Sequence, residues 1–214
     1  MNDYSISLEI SSSTAMWTRP DTGDAPVSYP APTYAAVKGI FESILWLQQA
    51  EIMPVKVEIC RPIVFHSYTT NYGGPLRKSR IMKVGASYQL IATVLVNVCY
   101  RLYADVYHDP TGDRIEPSTD KNPTRATNGA HAFKNIFERR LQRGQCFSIP
   151  CLGWSEFVPD YVGVFRLQTS VCEEITLEIP SMYKNCFLSG KRSAWAPFFY
   201  QNIKIEKGVL RYAQ

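Results

Sequence analysis

Residues 128–157, NGAHAFKNIFERRLQRGQCFSIPCLGWSEF, constrain the fold more than any other stretch of this 214-residue chain. Asn128 suits a helix N-cap, because its side-chain oxygen can accept a backbone N–H that the first turn leaves without a partner. Phe133, Ile136, Phe137 and Leu141 recur at helical spacing and predict a buried stripe. Gly144 fits the left-handed position that ends a helix. A short strand is expected next, then a Pro150-Cys151-Leu152-Gly153 turn running into Glu156-Phe157. The stripe leaves Lys134, Arg139, Arg140 and Arg143 pointing outward, with His131 in the first turn. Cations along the rim of a packed helix, with an imidazole at its mouth, suit an extended phosphate chain such as RNA.

The rest of the chain supplies a sheet for that helix. Tyr4, Ile6, Leu8 and Ile10 alternate with polar or small residues and predict a half-buried strand. A loop with Pro20, Pro26, Pro30, Pro32 and Gly23 fills 18–32, and Thr33 is the expected N-cap of a first helix. Val37, Ile40, Phe41, Ile44 and Leu47 carry that helix through about Gln48. Val55, Val57 and Ile59 alternate, Arg61-Pro62 interrupts, and Ile63 and Phe65 resume the strand. Ser67–Gly85 reads as a projecting loop or hairpin, and Ser87–Asn97 suits helix or strand equally. Tyr100, Leu102, Ala104 and Val106 predict another strand, and 109–128 a long loop.

The order strand, helix, strand, strand, helix, strand is the split β-α-β unit of ferredoxin-like α+β folds. After Gly153 the pattern turns to short strands, with turns expected at Pro159-Asp160, Pro180-Ser181, Ser189-Gly190 and Lys207-Gly208. The chain therefore divides into a ferredoxin-like domain over 1–152, with a basic loop at about 67–87, and a small β-rich region over 153–214.

A net charge of +4 is mild, but Arg77, Lys78, Arg80 and Lys83 cluster without an intervening acid. Such clustering costs repulsion that a polyanion would relieve. Cys60, Cys99, Cys146, Cys151, Cys172 and Cys186 form no Cys-x-x-Cys pair, and no histidine stands at ligand spacing from them. They read as reduced, buried thiols, and neither a metal nor another cofactor is expected. His66 and His108 read as surface or strand residues. The segment MNDYSISLEI has no signal-peptide character, and the uncharged run Val84–Tyr100 is broken by Gly85, Ser87, Gln89, Thr93 and Asn97. The expectation is a cytoplasmic protein with no membrane partner.

Several blocks fall in one recognisable order: Gly129-x-His131, Arg139-Arg140, Arg143-Gly144-Gln145-x-Phe147 and the Pro150 turn; Arg19-Pro20, Val27-Ser28-Tyr29, Pro32-Thr33-Tyr34, Lys38-Gly39-Ile40 and Glu42-Ser43-Ile44-x-Trp46; Arg61-Pro62-Ile63; and Ala196-Pro197-Phe198-Phe199 before Gly208-Val209. Spanning about residues 3 to 210, they resemble the CRISPR-associated family-five RAMP proteins of type I-C systems. The resemblance implies an RNA-recognition-type ferredoxin domain with a smaller β-rich region. It also implies a CRISPR-RNA-binding subunit of a Cascade surveillance complex that caps the guide's 5′ handle. The backbone and large subunits would be partners, and target DNA would be reached through the complex. The basic projection would serve as a thumb near the handle.

Proteins of that family also cut precursor RNA without a metal, the ribose 2′-hydroxyl attacking the adjacent phosphorus. The reaction needs a base, an acid and positive charge at the phosphate. The resemblance puts those groups at Leu45, Ala130 and His131, of which only His131 can move a proton. Tyr68, Tyr72, Lys78, Lys83 and Lys134 are the available substitutes. The expected RNA contacts are Arg19, Lys38, Tyr72, Arg77, Lys78, Arg80, Lys83, Lys134, Arg139, Arg140 and Arg143. Trp46, Tyr72 and Trp154 would stack on bases or, for the tryptophans, simply pack. Three readings stay open: a binding subunit, an endoribonuclease with a rearranged site, and a ferredoxin-like binding protein unrelated to CRISPR.

Overall fold

The computed structural model describes residues 4–72, 88–108, 129–187 and 195–212. The strand β1 (Ser5–Ala15) leads through loop 18–32 to helix α1 (Tyr34–Ile44), and strands β2 (Ala50–Ile59), β3 (Phe65–Tyr72) and β4 (Tyr88–His108) follow. Helix α2 (Gly129–Gln142) precedes β5 (Tyr161–Gly163), β6 (Leu177–Phe187), β7 (Trp195–Glu206) and β8 (Val209–Arg211).

The strand alternation sets the register. Ile6, Leu8 and Ile10 of β1 stand opposite Ala104, Leu102 and Tyr100 of β4, and Val57 and Ile59 of β2 stand opposite Leu102 and Tyr100. That shared face is apolar and buried under α1 and α2. The path β5-β1-β4-β2 is antiparallel throughout and has the ferredoxin-like order. The fold is thus α+β and ferredoxin-like. The β-rich C-terminal strands continue the same sheet, β8 pairing with the free edge of β2 and β7 and β6 following. The fourth strand of the unit, β5, comes from beyond residue 152, a fact that bears on where the two regions divide.

Local expectations meet several corrections. Thr33 does cap α1, accepting the Ala36 N–H at 3.3 Å, but the helix stops at Ile44 rather than Gln48. The Ile44 carbonyl accepts from the Phe147 N–H at 3.2 Å and from the Arg140 guanidinium at 2.9 Å, while that of Ser43 accepts from Ser148. The segment after α2 therefore caps α1 instead of forming the expected short strand, and Phe147 and Ile149 lie open, each 74% exposed. Residues 88–97 are strand, with Asn97 at φ 55° between the Ser12–Val98 and Thr14–Val96 pairs, across which the β1–β4 register runs unchanged. Pro180-Ser181 makes no turn. It lies inside β6, an edge strand, where a missing N–H costs no ladder bond. Lys207 and Gly208, at φ 48° and 74°, form the two-residue hairpin between β7 and β8, as their sequence suggests.

The cysteines are all free, but only Cys99 is buried. Cys60, Cys151, Cys172 and Cys186 are half-buried and Cys146 is exposed. Among the described residues no helix is long and apolar enough to cross a membrane, and no group of three or more His, Cys, Asp or Glu side chains could hold a metal.

Candidate nucleic-acid interface

Helix α2 packs Phe133 and Phe137 fully against the sheet, the two rings stacked with centroids 6.0 Å apart. Gly144, at φ 62°, ends it, and the Gln145 N–H returns to the Arg140 carbonyl at 2.9 Å. This anchoring leaves Arg139 and Arg143 exposed and Lys134 half-buried. Arg140 departs from the outward expectation: its guanidinium is spent on the carbonyl of Ile44, 96 residues away. Asn128 lies outside the described residues, as do Arg77, Lys78, Arg80 and Lys83 and the side chain of Tyr72.

The mouth of α2 holds more than the sequence suggests. His131 is exposed, with its Nε2 3.0 Å from Asn135 Nδ2 and its ring edge-on to Tyr4 at 6.0 Å. A Cβ on residue 129 would come within 2.7 Å of the Gln49 carbonyl oxygen and 2.8 Å of His108 Nδ1, so glycine is what lets the imidazole of His108 approach the helix start. His108, read from the sequence as a surface or strand residue, is both, exposed at the end of β4, and it stands beside the same first turn as His131. The signal was its parity with Val106, which puts both on the helix side of β4. Leu45 and Ala130 are 3% and 1% exposed and offer the mouth neither charge nor hydrogen-bonding side chains.

Other predicted contacts are scattered or engaged. Lys38 sits between Glu51 at 3.6 Å and Glu42 at 4.0 Å. Arg19 forms a bidentate pair with Asp21, lies 5.8 Å from the Tyr29 ring centroid, and lines a 590 Å³ cleft with Leu177 and Phe199. Trp154 stacks on Phe157 and donates its indole N–H to Thr18 at 3.0 Å, while Tyr68 meets Phe157 edge-on, so this tryptophan is a packing residue. Trp46 is 57% exposed just past α1.

The opposite face of the sheet carries an ionic cluster that local sequence does not reveal. Glu9 is fully buried and accepts from the Arg166 backbone N–H at 3.0 Å, the Thr169 hydroxyl at 2.6 Å and the Arg166 guanidinium. Arg101 adds charge 3.6 Å away and donates to the Thr169 carbonyl. Burial acts to raise the Glu9 pKa, but the Thr169 and Arg166 contacts together outweigh it and hold the carboxyl below its ordinary value. Phe165 meets Tyr103 edge-on and lies under the Arg101 guanidinium, so segment 164–171 is pinned across this face. Burial, then its bond to Glu58, drives the Tyr103 phenol well above its usual range.

With the geometry in view, a model of the family described as CRISPR-associated protein (Cas_Cas5) matches residues 5–185. A protein of Mannheimia succiniciproducens is 30% identical over 167 residues, which cover 71% of this chain and 69% of that one. A protein of Thermus thermophilus is 28% identical over 144 residues, covering 67% of this chain and 57% of its own length. Both are called CRISPR pre-crRNA endoribonuclease Cas5d. Among solved structures, a CRISPR-associated protein superimposes with a TM-score of 0.70 at 15% identity, covering 98% of this chain and 92% of its own. The functionally uncharacterized protein SMU1763c from Streptococcus mutans gives 0.67 at 16% identity, with the same coverage. At such identities the structural likeness speaks for the fold alone.

Proposed function

The chain belongs to the CRISPR-associated Cas5 family, and from that premise we propose that it binds a CRISPR RNA and caps its 5′ handle as a subunit of a type I-C-like Cascade complex in the cytoplasm. Family membership sets aside the reading as a ferredoxin-like protein unrelated to CRISPR. The observation that carries the proposal is α2: a rigidly packed helix with His131 at its start and exposed Arg139 and Arg143 at its end. Exposed guanidinium groups on an immobile element can neutralise successive phosphates without first breaking an internal ion pair. The backbone and large subunits would be its protein partners, and target DNA would be reached through the complex. In a binding assay, an RNA carrying the repeat-derived 5′ handle should outcompete an unrelated RNA of equal length. Equal binding of the two would end the proposal.

A second reading, pre-crRNA endoribonuclease, is favoured by one observation: His108 stands at the helix mouth with His131. Two imidazoles can in principle divide base and acid roles that Leu45 and Ala130 cannot fill. Incubation with the locus's own repeat RNA in excess chelator separates the readings. A discrete cut lost in both His131→Ala and His108→Ala supports the enzyme, whereas intact RNA that remains bound supports the capping role alone.

A further inference from the structure

Cys60 and Cys99 stand at the junction where the β3–β4 hairpin leaves the main sheet. Cys60 follows the last residue of β2, and its N–H donates to the Cys99 carbonyl at 2.9 Å, one step past the Ile59–Tyr100 pair. Beyond it, Val96 N–H bonds to Val64 O, and from Phe65–Leu95 onward β4 pairs with β3 instead of β2. Hydrogen-bonded antiparallel neighbours hold their Cα atoms about 5.5 Å apart, inside the span that a disulfide bridges. Both side chains lie on the polar side of the sheet, Cys60 Sγ 3.7 Å from the Glu58 carbonyl and Cys99 Sγ beside Glu9.

Charged groups flank the Cys99 sulfur. Cys99 Sγ lies 3.7 Å from the Arg166 guanidinium and 3.8 Å from Glu9 Oε1. The bond from Cys60, aided by Arg166 and opposed by burial and Glu9, draws the Cys99 thiol down to about 7, while the same bond and burial push the Cys60 thiol up. Cys60 is half-buried and reachable from solvent, whereas Cys99 is 1% exposed.

We infer that Cys60 and Cys99 are a redox-active dithiol that a low-molecular-weight disulfide, such as glutathione disulfide, converts into an intramolecular bridge at the root of the β3–β4 hairpin. Transfer of the Cys60 proton to Cys99 puts the thiolate on the accessible sulfur. That thiolate attacks one glutathione sulfur, an S–S bond forms to Cys60, and the first glutathione leaves as a thiolate. Cys99 then loses its proton to water and attacks the Cys60 sulfur, and the second glutathione leaves. The protein loses two electrons and the glutathione disulfide becomes two thiols. In a reducing cytoplasm the pair rests as the dithiol and closes under disulfide stress. The inference is independent of whether the protein cuts RNA.

The test incubates the folded protein with glutathione disulfide at pH 7.5, quenches with acid, alkylates the remaining thiols in denaturant and maps the peptides by mass. The expected product is one Cys60–Cys99 linked peptide, with the exposed Cys146 carrying only a glutathione adduct. Cys99→Ser should trap glutathione on Cys60, and Cys60→Ser should leave Cys99 alkylated and unmodified. Full alkylation of both cysteines once Cys146 is completely glutathionylated would overturn the inference. So would a bridge that forms only after the protein is unfolded in urea.

Discussion

The two faces of the sheet hold charge in opposite ways. On the helix side, the layer against the sheet is apolar and the cations of α2 stand at its rim, with Arg139 and Arg143 exposed. On the other side, Glu9 is wholly enclosed, and its carboxylate is matched by the guanidinium groups of Arg166 and Arg101 and by Thr169. The enclosed charges spend their hydrogen bonds on one another and pin segment 164–171, so they contribute to the fold. The exposed ones contribute little to the fold and keep their capacity for a ligand. On the proposed reading, what would serve RNA is not charge alone but charge that, among the described residues, is left without an ion pair, as at Arg139 and Arg143.

The sharpest way to break this contrast is to remove one cation from each face. Arg166→Met leaves a buried carboxylate with a reduced set of partners and should lower stability by about 3 kcal/mol, read from the midpoint of a urea titration. Arg143→Met on the exposed helix should change it by no more than about 0.5 kcal/mol. Equal losses would mean that the two faces do not differ in the way described.

Acid should expose the same difference. Because the folded pKa of Glu9 is held below its ordinary value, the unfolded chain binds more protons as pH falls. The stabilisation from this carboxylate is complete above the unfolded pKa and drains away as pH drops through the folded one. Urea midpoints should therefore decline steeply below about pH 4.5, and Glu9→Gln should flatten that decline despite a lower starting stability. An unchanged slope in the variant would assign the acid sensitivity elsewhere.

RNA binding should invert the ranking. Arg139→Ala combined with Arg143→Ala should weaken binding to the handle RNA about tenfold and reduce the slope of log affinity against log salt by about 1.4, since each single-strand phosphate contact contributes about 0.7. Lys56→Ala on the opposite face should do neither, because Lys56 is already held by Glu58 at 2.6 Å and the Tyr103 ring at 4.0 Å. A larger loss in Lys56→Ala would move the interface to the other side of the sheet.

How much of this was legible in sequence depended on how far apart the interacting residues lie. Alternation in β1 and at 100–106, helical spacing in 133–141 and the Thr33 cap depend on near neighbours, and they could be read directly. Residues 88–97 could not, because Ala92, Val94 and Leu95 are all buried while Ile91 is 56% exposed, a pattern with no clean period. The end of α1 was hidden for another reason: its carbonyls are capped by Arg140 and Phe147, roughly a hundred positions later. Glu9 looked like a solvent-facing residue of an alternating strand because its partner Arg166 is 157 positions away. His131 was visible from its motif, but His108 was not, since only folding brings β4 to the start of α2.

Arg140 lies between the two classes and gives the finest test. It belongs to the cationic helix by sequence, yet its guanidinium donates to the last carbonyl of α1 and is half-buried. If commitment rather than charge decides function, Arg140→Ala should behave like a structural variant. It should lose about 1 kcal/mol in urea, the order of one charge-assisted hydrogen bond discounted for partial exposure. Handle-RNA affinity should meanwhile move less than twofold at a temperature where the protein is fully folded. Arg140→Lys should recover part of the stability, because an ammonium can still reach the carbonyl but lacks the planar fork. A variant that kept full stability and lost RNA affinity as strongly as Arg139→Ala would show that Arg140 leaves its cap to meet the ligand, and the boundary between committed and uncommitted charge would then run along α1 rather than through α2.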